Sequence, residues 1–348
     1  MRTAKRFLAL LTAAATASVT LAAAPVAAQT APTAARDAGP AIQVGSFNVK
    51  NVLFAKNPTK DWAKRRAVII EQVRREGIDI LGIQEAHPGR YLPVDFRDGP
   101  NQYLDLRNGL RKAGGDWQVT SAASYNCKNS KTWQSCAFKD RGASRSTRIL
   151  YDARKVELVK RGSVLYDKQR AEDRYLVWGT FRVRATGKKL LFTTTHLTSA
   201  SDKVRLKQWR QMIREIDRLR GRKPVVATGD FNVQKYHWIA GKMLPAMKKA
   251  GIPDVLNQEY RVNPSVPRAK RLVNAWINSY NHGRRNVSTF SYDEQRDKIG
   301  NGIDWVFASR RLAVESWKVV VDYDPETLKV DGVLPSDHNL VKATLRLP

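Results

Sequence analysis

The chain is poor in the residues that build soft-metal sites. It has two cysteines, Cys127 and Cys136, and five histidines in 348 residues, with no cluster of Cys and His at ligand spacing. That excludes a structural zinc module. No long apolar run follows residue 24, which excludes a polytopic membrane protein. There is no Pro/Gly/Ser-rich linker and no internal repeat, so the folded part reads as one large domain rather than an array. Acids are also scarce: 32 Asp and Glu face 61 Lys and Arg, a net charge of +29. Such a surplus suits a polyanionic partner, with nucleic acid, anionic lipid head groups and acidic cell-wall polymers all compatible. A solvated charge that keeps an exported protein soluble is the plainer alternative.

What is present begins with a targeting pattern. Arg2, Lys5 and Arg6 precede an Ala-rich apolar stretch from Phe7 to Ala24, and small residues Val26-Ala27-Ala28 follow. Residues 1–28 therefore read as a secretory signal peptide, which makes the expected location extracellular, without stable membrane insertion. Residues 29–40, rich in Ala, Pro and Thr, read as a flexible leader, and the domain is expected over 41–348. Setting the three leading cations aside leaves about +26. In an exported chain, Cys127 and Cys136, within one short polar segment, are expected to form a local disulfide.

Strand and helix periods recur along the domain. Ile42 to Val49 reads as a first strand, and Thr59 to Glu76 places Trp62, Ile69, Ile70 and Val73 at helical spacing before Gly77. Ile78 to Ile83 is a buried strand, as are Leu190 to Thr195, Pro224 to Thr228 and Ile303 to Phe307. Ser201 caps a helix carrying Leu206, Trp209, Ile213, Ile216 and Leu219, and Leu340 to Leu347 alternates as a half-buried strand. Val255 to Gly302 is long, basic and irregular, and reads as surface loops.

Polar or ionisable residues fall at the strand ends: Asn48, Glu85, His196, Asp230 with Asn232, and Asp337 with His338. Strand ends are where a rigid sheet presents chemistry. Singly, each reads as a turn, a cap or a surface group. Together, Ser46-Phe47-Asn48, Ile83-Gln84-Glu85, Thr195-His196-Leu197, Gly229-Asp230-Phe231-Asn232, Gly302-Ile303-Asp304-Trp305-Val306-Phe307 and Ser336-Asp337-His338 resemble, in order, the endonuclease/exonuclease/phosphatase superfamily. That superfamily includes deoxyribonuclease I, abasic-site endonucleases, neutral sphingomyelinases and inositol-polyphosphate phosphatases.

The resemblance implies an α+β fold, a four-layer α/β/β/α sandwich of two mainly antiparallel sheets flanked by helices, with the site at one end. It also implies a divalent-metal phosphodiesterase. Oxygen ligands suit Mg²⁺, with Mn²⁺ or Ca²⁺ as alternatives, and Glu85, Asn48 and Asp337 match the ligand positions. His338 matches a general base or phosphate-contacting imidazole that Asp304 orients, while Asp230 and Asn232 would lie against the scissile phosphate. Which of Asp230 and His338 takes the proton stays open at this level. His196 matches a second histidine that faces the phosphate and can protonate the leaving oxygen. Arg145, or Arg148, stands where the deoxyribonuclease-like branch has a phosphate-binding arginine; the carboxylate that orients the second histidine in that branch has no match here. His87, His237 and His282 match nothing in the pattern and read as structural. The expected partner is nucleic acid as substrate of a monomeric nuclease, helped by Arg261, Arg268, Lys270, Arg271, Arg284 and Arg285 interleaved with Tyr260, Trp276 and Tyr280. A sphingomyelinase-like or inositol-phosphate-type activity is the alternative.

Overall fold

The structure, a computed structural model, describes residues 40–89, 94–128, 137–167, 173–234, 237–255, 302–320, 322 and 332–348. Two βαβ units set its plan. In the first, β1 (Ala41–Asn48) leads through a short 3-10 turn (Val52–Phe54) into α1 (Pro58–Arg75) and back to β2 (Ile80–Gln84), which lies parallel to β1. The second repeats this with β7 (Lys189–His196), α3 (Asp202–Arg220) and β8 (Val225–Asp230), again a parallel pair. A parallel pair needs a crossover helix, and each helix begins at a cap the sequence supplies. Asn57 accepts from the Lys60 N–H at 3.2 Å ahead of Pro58, and Ser201 caps α3.

Antiparallel strands extend each pair into a sheet. The first sheet runs β10-β11-β1-β2-β4-β3, where β3 is Trp117–Val119, β4 Arg148–Asp152, β10 Ala313–Val320 and β11 Leu340–Arg346. The second runs β5-β6-β7-β8-β9, where β5 is Val156–Leu165, β6 Tyr175–Val183 and β9 Asp304–Ala308. α2 (Gln102–Lys112) joins α1 on the outer face of the first sheet, and α4 (Trp238–Lys249) joins α3 on that of the second. Among the described residues, two mixed sheets flanked by four helices make the expected sandwich.

The period of two sorts each strand. Leu81 and Ile83 of β2 face α1 and α2 with Trp62, Ile69, Val73 and Leu106, while Ala227, Trp305 and Phe307 face α3 with Trp209 and Ile216. Each such side chain contributes roughly 1.5–3 kcal/mol by leaving water. The inner faces carry Ile42, Val44, Ile80, Phe192, Val226, Val306 and Ala308. Along those faces, in the same direction on both sheets, apolar residues give way to Ser46, Gly82, Thr194 and Thr228, and then to Asn48, Gln84, His196, Asp230 and Asp304. Gly82 permits this closeness, because a Cβ there would lie 2.5 Å from Thr194 Oγ1 and 2.7 Å from Thr228 Oγ1. The gap between the sheets is thus apolar at one end and ionisable at the other.

Candidate active site

The parallel strands of both units end on one side of the sandwich, and the antiparallel strands β9 and β11 start there. Asp304 opens β9 directly opposite Asp230, and His338 lies just before β11. Gly229 makes the β7–β8 alignment possible, with φ at +147° and no room for a Cβ, which would stand 2.2 Å from the Thr195 carbonyl. The aromatic rings of the motifs belong to the outer core: Phe231 packs on Trp209 at 4.7 Å, and Trp305 donates to the Val233 carbonyl at 2.9 Å. Those contacts hold the carboxylates of the neighbouring residues facing inward.

Asn48 is the hub. Its Nδ2 donates to Glu85 Oε1 at 3.0 Å and to Asp230 Oδ2 at 3.1 Å, and lies 3.2 Å from His338 Nε2. Its Oδ1 accepts from the Lys50 N–H at 3.0 Å, and its carbonyl accepts from Ser336 Oγ at 2.6 Å. Ser336 Oγ also accepts from the His338 N–H at 3.2 Å, and Asp337 Oδ1 lies 3.2 Å from it. His338 Nδ1 lies 2.8 Å from Asp304 Oδ2, so the expected histidine–carboxylate pair is formed. Asp230, Asp304 and His338 present ligand atoms within 4.8 Å of one another, a group able to hold a metal ion. Asn48, His196, Asp230, Asp304 and His338 are each at most 5% exposed, whereas Glu85, Asn232 and Asp337 are half-buried. The second set is thus the solvent-accessible side of the cluster.

This burial sets the protonation states. Burial pushes the Asp230 carboxyl up, the His338 charge pulls it down and Asp304 raises it again, leaving it near 7. Burial lowers His338, but the charges of Asp304 and Asp230 and the Asp304 hydrogen bond outweigh it and push the imidazole up to about 10. A protonated Nε2 cannot accept from the Asn48 amide; it faces Asp230 Oδ2 at 3.7 Å instead. The surrounding carboxylates therefore favour the charged form of His338 beside Asp230. His196 goes the other way: burial, then the Arg174 guanidinium and the His338 charge, lower it well below its ordinary value. His196 Nε2 lies 3.3 Å from Asp230 Oδ2, and its buried Nδ1 has no partner among the described residues. Burial therefore favours the neutral ring at His196.

Asn232 takes φ +51° while Asp230 Oδ1 accepts from its N–H at 2.8 Å, and its amide donates to the Leu197 carbonyl at 2.9 Å. Glu85 also has positive φ, +60°, and its Oε2 accepts from the Asn51 N–H at 3.1 Å. Non-glycine residues held in this region mark places where the fold has set a side chain's direction against local preference. Each Glu85 oxygen accepts one N–H and keeps a lone pair, a donor that suits a hard cation.

The two candidate arginines separate. Arg148 is 0% exposed, donates to Ser144 Oγ, the Thr147 carbonyl and the Ala123 carbonyl at 2.8–2.9 Å, and lies 4.4 Å over the Tyr103 ring. Its guanidinium is committed to holding the loop before β4, which corrects its expected substrate role. Arg145, half-buried with φ +53°, pairs with no carboxylate among the described residues. His237 caps α4, accepting from the Ile239 N–H at 3.3 Å, and His87 accepts from the Gly89 N–H at 2.9 Å, so both are structural. Cys127 is buried. Cys136, His282, the signal region and the basic stretch from 256 to 300 lie outside the described residues.

Two supports carry no motif. Arg65 ties the β1 loop to the last motif, donating to the Val49 carbonyl at 2.8 Å and the Pro335 carbonyl at 3.2 Å. Gln102 joins the loops after β1 and β2: it donates to the Lys50 carbonyl at 2.8 Å and accepts from the His87 N–H at 2.9 Å. The one available signal was a helical Arg and Gln on faces otherwise apolar.

A family model described as the Endonuclease/Exonuclease/phosphatase family matches residues 45–338. No curated protein matches the chain. Among solved structures, an endonuclease/exonuclease/phosphatase family protein from Bacteroides thetaiotaomicron is similar with a TM-score of 0.63 and 20% identity, covering 89% of this chain and 96% of that one. The mannosyl-6-phosphatase Bt3783 of the same organism gives 0.60 and 20%, over 87% and 99%. TDP2 of D. rerio, complexed with single strand DNA product, gives 0.54 and 15%, over 88% and 98%. No helix among the described residues is long and apolar enough to cross a membrane.

Proposed function

The chain belongs to the endonuclease/exonuclease/phosphatase family, and on that premise we propose that it is a Mg²⁺-dependent phosphodiesterase that cleaves nucleic acid with little sequence preference. The observation that carries the chemistry is the single Asn48 amide in contact with Glu85, Asp230 and His338, which draws the ends of both sheets into one acid-rich pocket. Glu85, Asn48 and Asp337 would hold the cation, and their oxygen-rich chemistry fits Mg²⁺. When bound, it offsets charge on the non-bridging phosphate oxygens. Asp230 lies where it can orient a water and accept its proton, with His338 and Asp304 sharing that proton. Asn232, His196 and Arg145 would contact the phosphate.

The substrate class rests on charge: a surplus near +26 exceeds what one phosphate ester requires, and an extended polyanion can use it. A small phosphoester is the second reading. It is favoured by the deep burial of the site acids and by likeness to a mannosyl-6-phosphatase. Assays on plasmid DNA, RNA, sphingomyelin and a soluble phosphomonoester separate these. The nuclease reading expects nucleic-acid cleavage whose apparent KM rises steeply with salt, since each phosphate contact contributes a slope of about −0.9 on duplex DNA. Intact DNA and RNA beside turnover of the monoester or lipid would overturn it.

We also propose export after removal of a leader, and a Cys127–Cys136 bridge. Sequencing of the secreted protein's N-terminus tests the first. Labelling of both thiols without reductant would refute the second.

A further inference from the structure

A second cavity opens beside the site, where the β1 loop meets the start of α1. It holds about 430 Å³ and is lined by Lys50, Phe54, Lys56, Lys60 and Lys64, with Asp61 the one acid on its wall. Arg65 Nε sits 2.5 Å from an Asp61 oxygen, so that negative charge is already answered from within the helix. Lys56, Lys60 and Lys64 are exposed and have no carboxylate at ion-pair distance among the described residues. Lys60 and Lys64 stand one turn apart on the same face of α1. The Phe54 ring is 70% exposed. An aromatic ring left open inside a lysine-lined hollow forgoes its own burial, which makes it available to a ligand that offers a flat apolar face between negative charges.

The cavity is wired to the catalytic residues. Lys50, two residues after Asn48, takes φ +52°, with its N–H on Asn48 Oδ1 and its carbonyl held by Gln102. Asn51, next in the chain, gives its N–H to Glu85. Two residues span at most about 7 Å, so a phosphate in the site and a second phosphate at Lys50 would be near neighbours on one strand.

Building on the nuclease reading, we propose that this cavity is the subsite for the stretch of substrate flanking the scissile phosphate, and that the substrate there is single-stranded. Phe54 stacks on an unpaired base, and Lys56, Lys60 and Lys64 contact the successive phosphates. A paired base has its faces covered by its neighbours, and one small monoester cannot fill both the site and the hollow. Stacking needs no particular base, which agrees with low sequence preference.

The test is steady-state cleavage of a short deoxythymidine oligonucleotide in Mg²⁺ by the wild type, Phe54→Ala, Phe54→Trp and the pair Lys60→Ala with Lys64→Ala, across a salt series. Bis(p-nitrophenyl) phosphate, too small to reach the cavity, is the control substrate, and a thermal melt confirms folding. Phe54→Ala should raise KM for the oligonucleotide on the order of tenfold with kcat and the control reaction little changed, and Phe54→Trp should restore KM. The lysine pair should raise KM and flatten its salt slope by about 0.7 per lysine, the value for single strands. Unchanged KM in both variants, with the wild type still cutting the oligonucleotide, overturns the inference and leaves the nuclease reading in place. A wild type that cuts plasmid DNA or RNA but no deoxythymidine oligonucleotide overturns the inference alone, and one that turns over the small diester but no nucleic acid overturns both. Loss of anionic-vesicle binding in Phe54→Ala, with oligonucleotide kinetics unchanged, would assign the cavity to a membrane surface and likewise overturn it.

Discussion

The two ends of the sandwich treat buried acid in opposite ways. Where α1 turns into β2, Glu76 meets Lys318 at 2.6 Å and Lys342 at 3.5 Å, Asp152 meets Arg154 at 2.5 Å, and Asp79 accepts from the Gln43 N–H at 2.8 Å with Lys155 and Lys342 in electrostatic reach. At the other end of the sandwich, on β8 and β9 of the second sheet, Asp230 and Asp304 meet imidazoles, an amide and each other. The first arrangement answers Glu76 and Asp152 with permanent cations and Asp79 only in part, and its consequences fall on stability. The second concentrates negative charge around groups that exchange protons, which costs stability and suits a cation brought with the substrate. The sandwich thus has a closed electrostatic end on its first sheet and an open one where the two sheets' polar ends meet.

If that contrast is right, removing an acid should change activity at one end and stability alone at the other. The largest effect is expected from the histidine–carboxylate pair. Asp304→Asn and His338→Ala should each slow turnover by at least on the order of a hundredfold, and the double variant should be little worse than either single one, because the two act as a unit. A double variant showing the full product of the two losses would separate them.

Asp79 gives the next effect, in stability alone. Burial, opposed by the Gln43 N–H and Lys155, raises its carboxyl from 3.8 to about 6. The folded state then holds a proton that the unfolded chain has lost, so stability falls as pH rises through that window. The ionised group costs up to about 3 kcal/mol at neutral pH. Denaturant melts of the wild type and Asp79→Asn between pH 4 and pH 7 should diverge by up to about that amount, with the wild type gaining on acidification. Parallel curves would deny the burial cost. The smallest effect is Glu76→Gln, expected to lose about 1 kcal/mol, since Lys318 is 44% exposed and solvent screens the pair. Its turnover should match the wild type, and a loss of activity there would break the contrast from the stable end.

Much of this was legible in the sequence for a physical reason. β1, β2, β7, β8 and β9 carry apolar residues on both faces and end in polar ones, so strand and site announced themselves together. β5 did not: Val156–Leu165 mixes Glu, Lys, Arg and Gly at an edge that is buried only in part. α4 contains Pro245, which blurs its helical pattern. The site's wiring was less legible than its membership. That Asn48 is the hub and that His196 is neutral both depend on burial between two sheets far apart in sequence. Arg145 and Arg148 look alike in the chain, yet parity distinguishes them: Ile149 and Tyr151 face the inner core and Leu150 the outer one, which puts Arg148 on the outer face beneath α2.

The open end has meaning only if a divalent cation completes it, and Glu85 is the half-buried carboxylate best placed to receive one. The direct measurement is turnover of nucleic acid against Mg²⁺ concentration, after exhaustive chelation, for the wild type and Glu85→Gln. The wild type should be inactive without metal and recover on titration. Glu85→Gln should lose most activity, need far more Mg²⁺ and melt no lower than the wild type. Undiminished cleavage by the chelated wild type, or a Glu85→Gln variant with an unchanged metal requirement, would contradict the account.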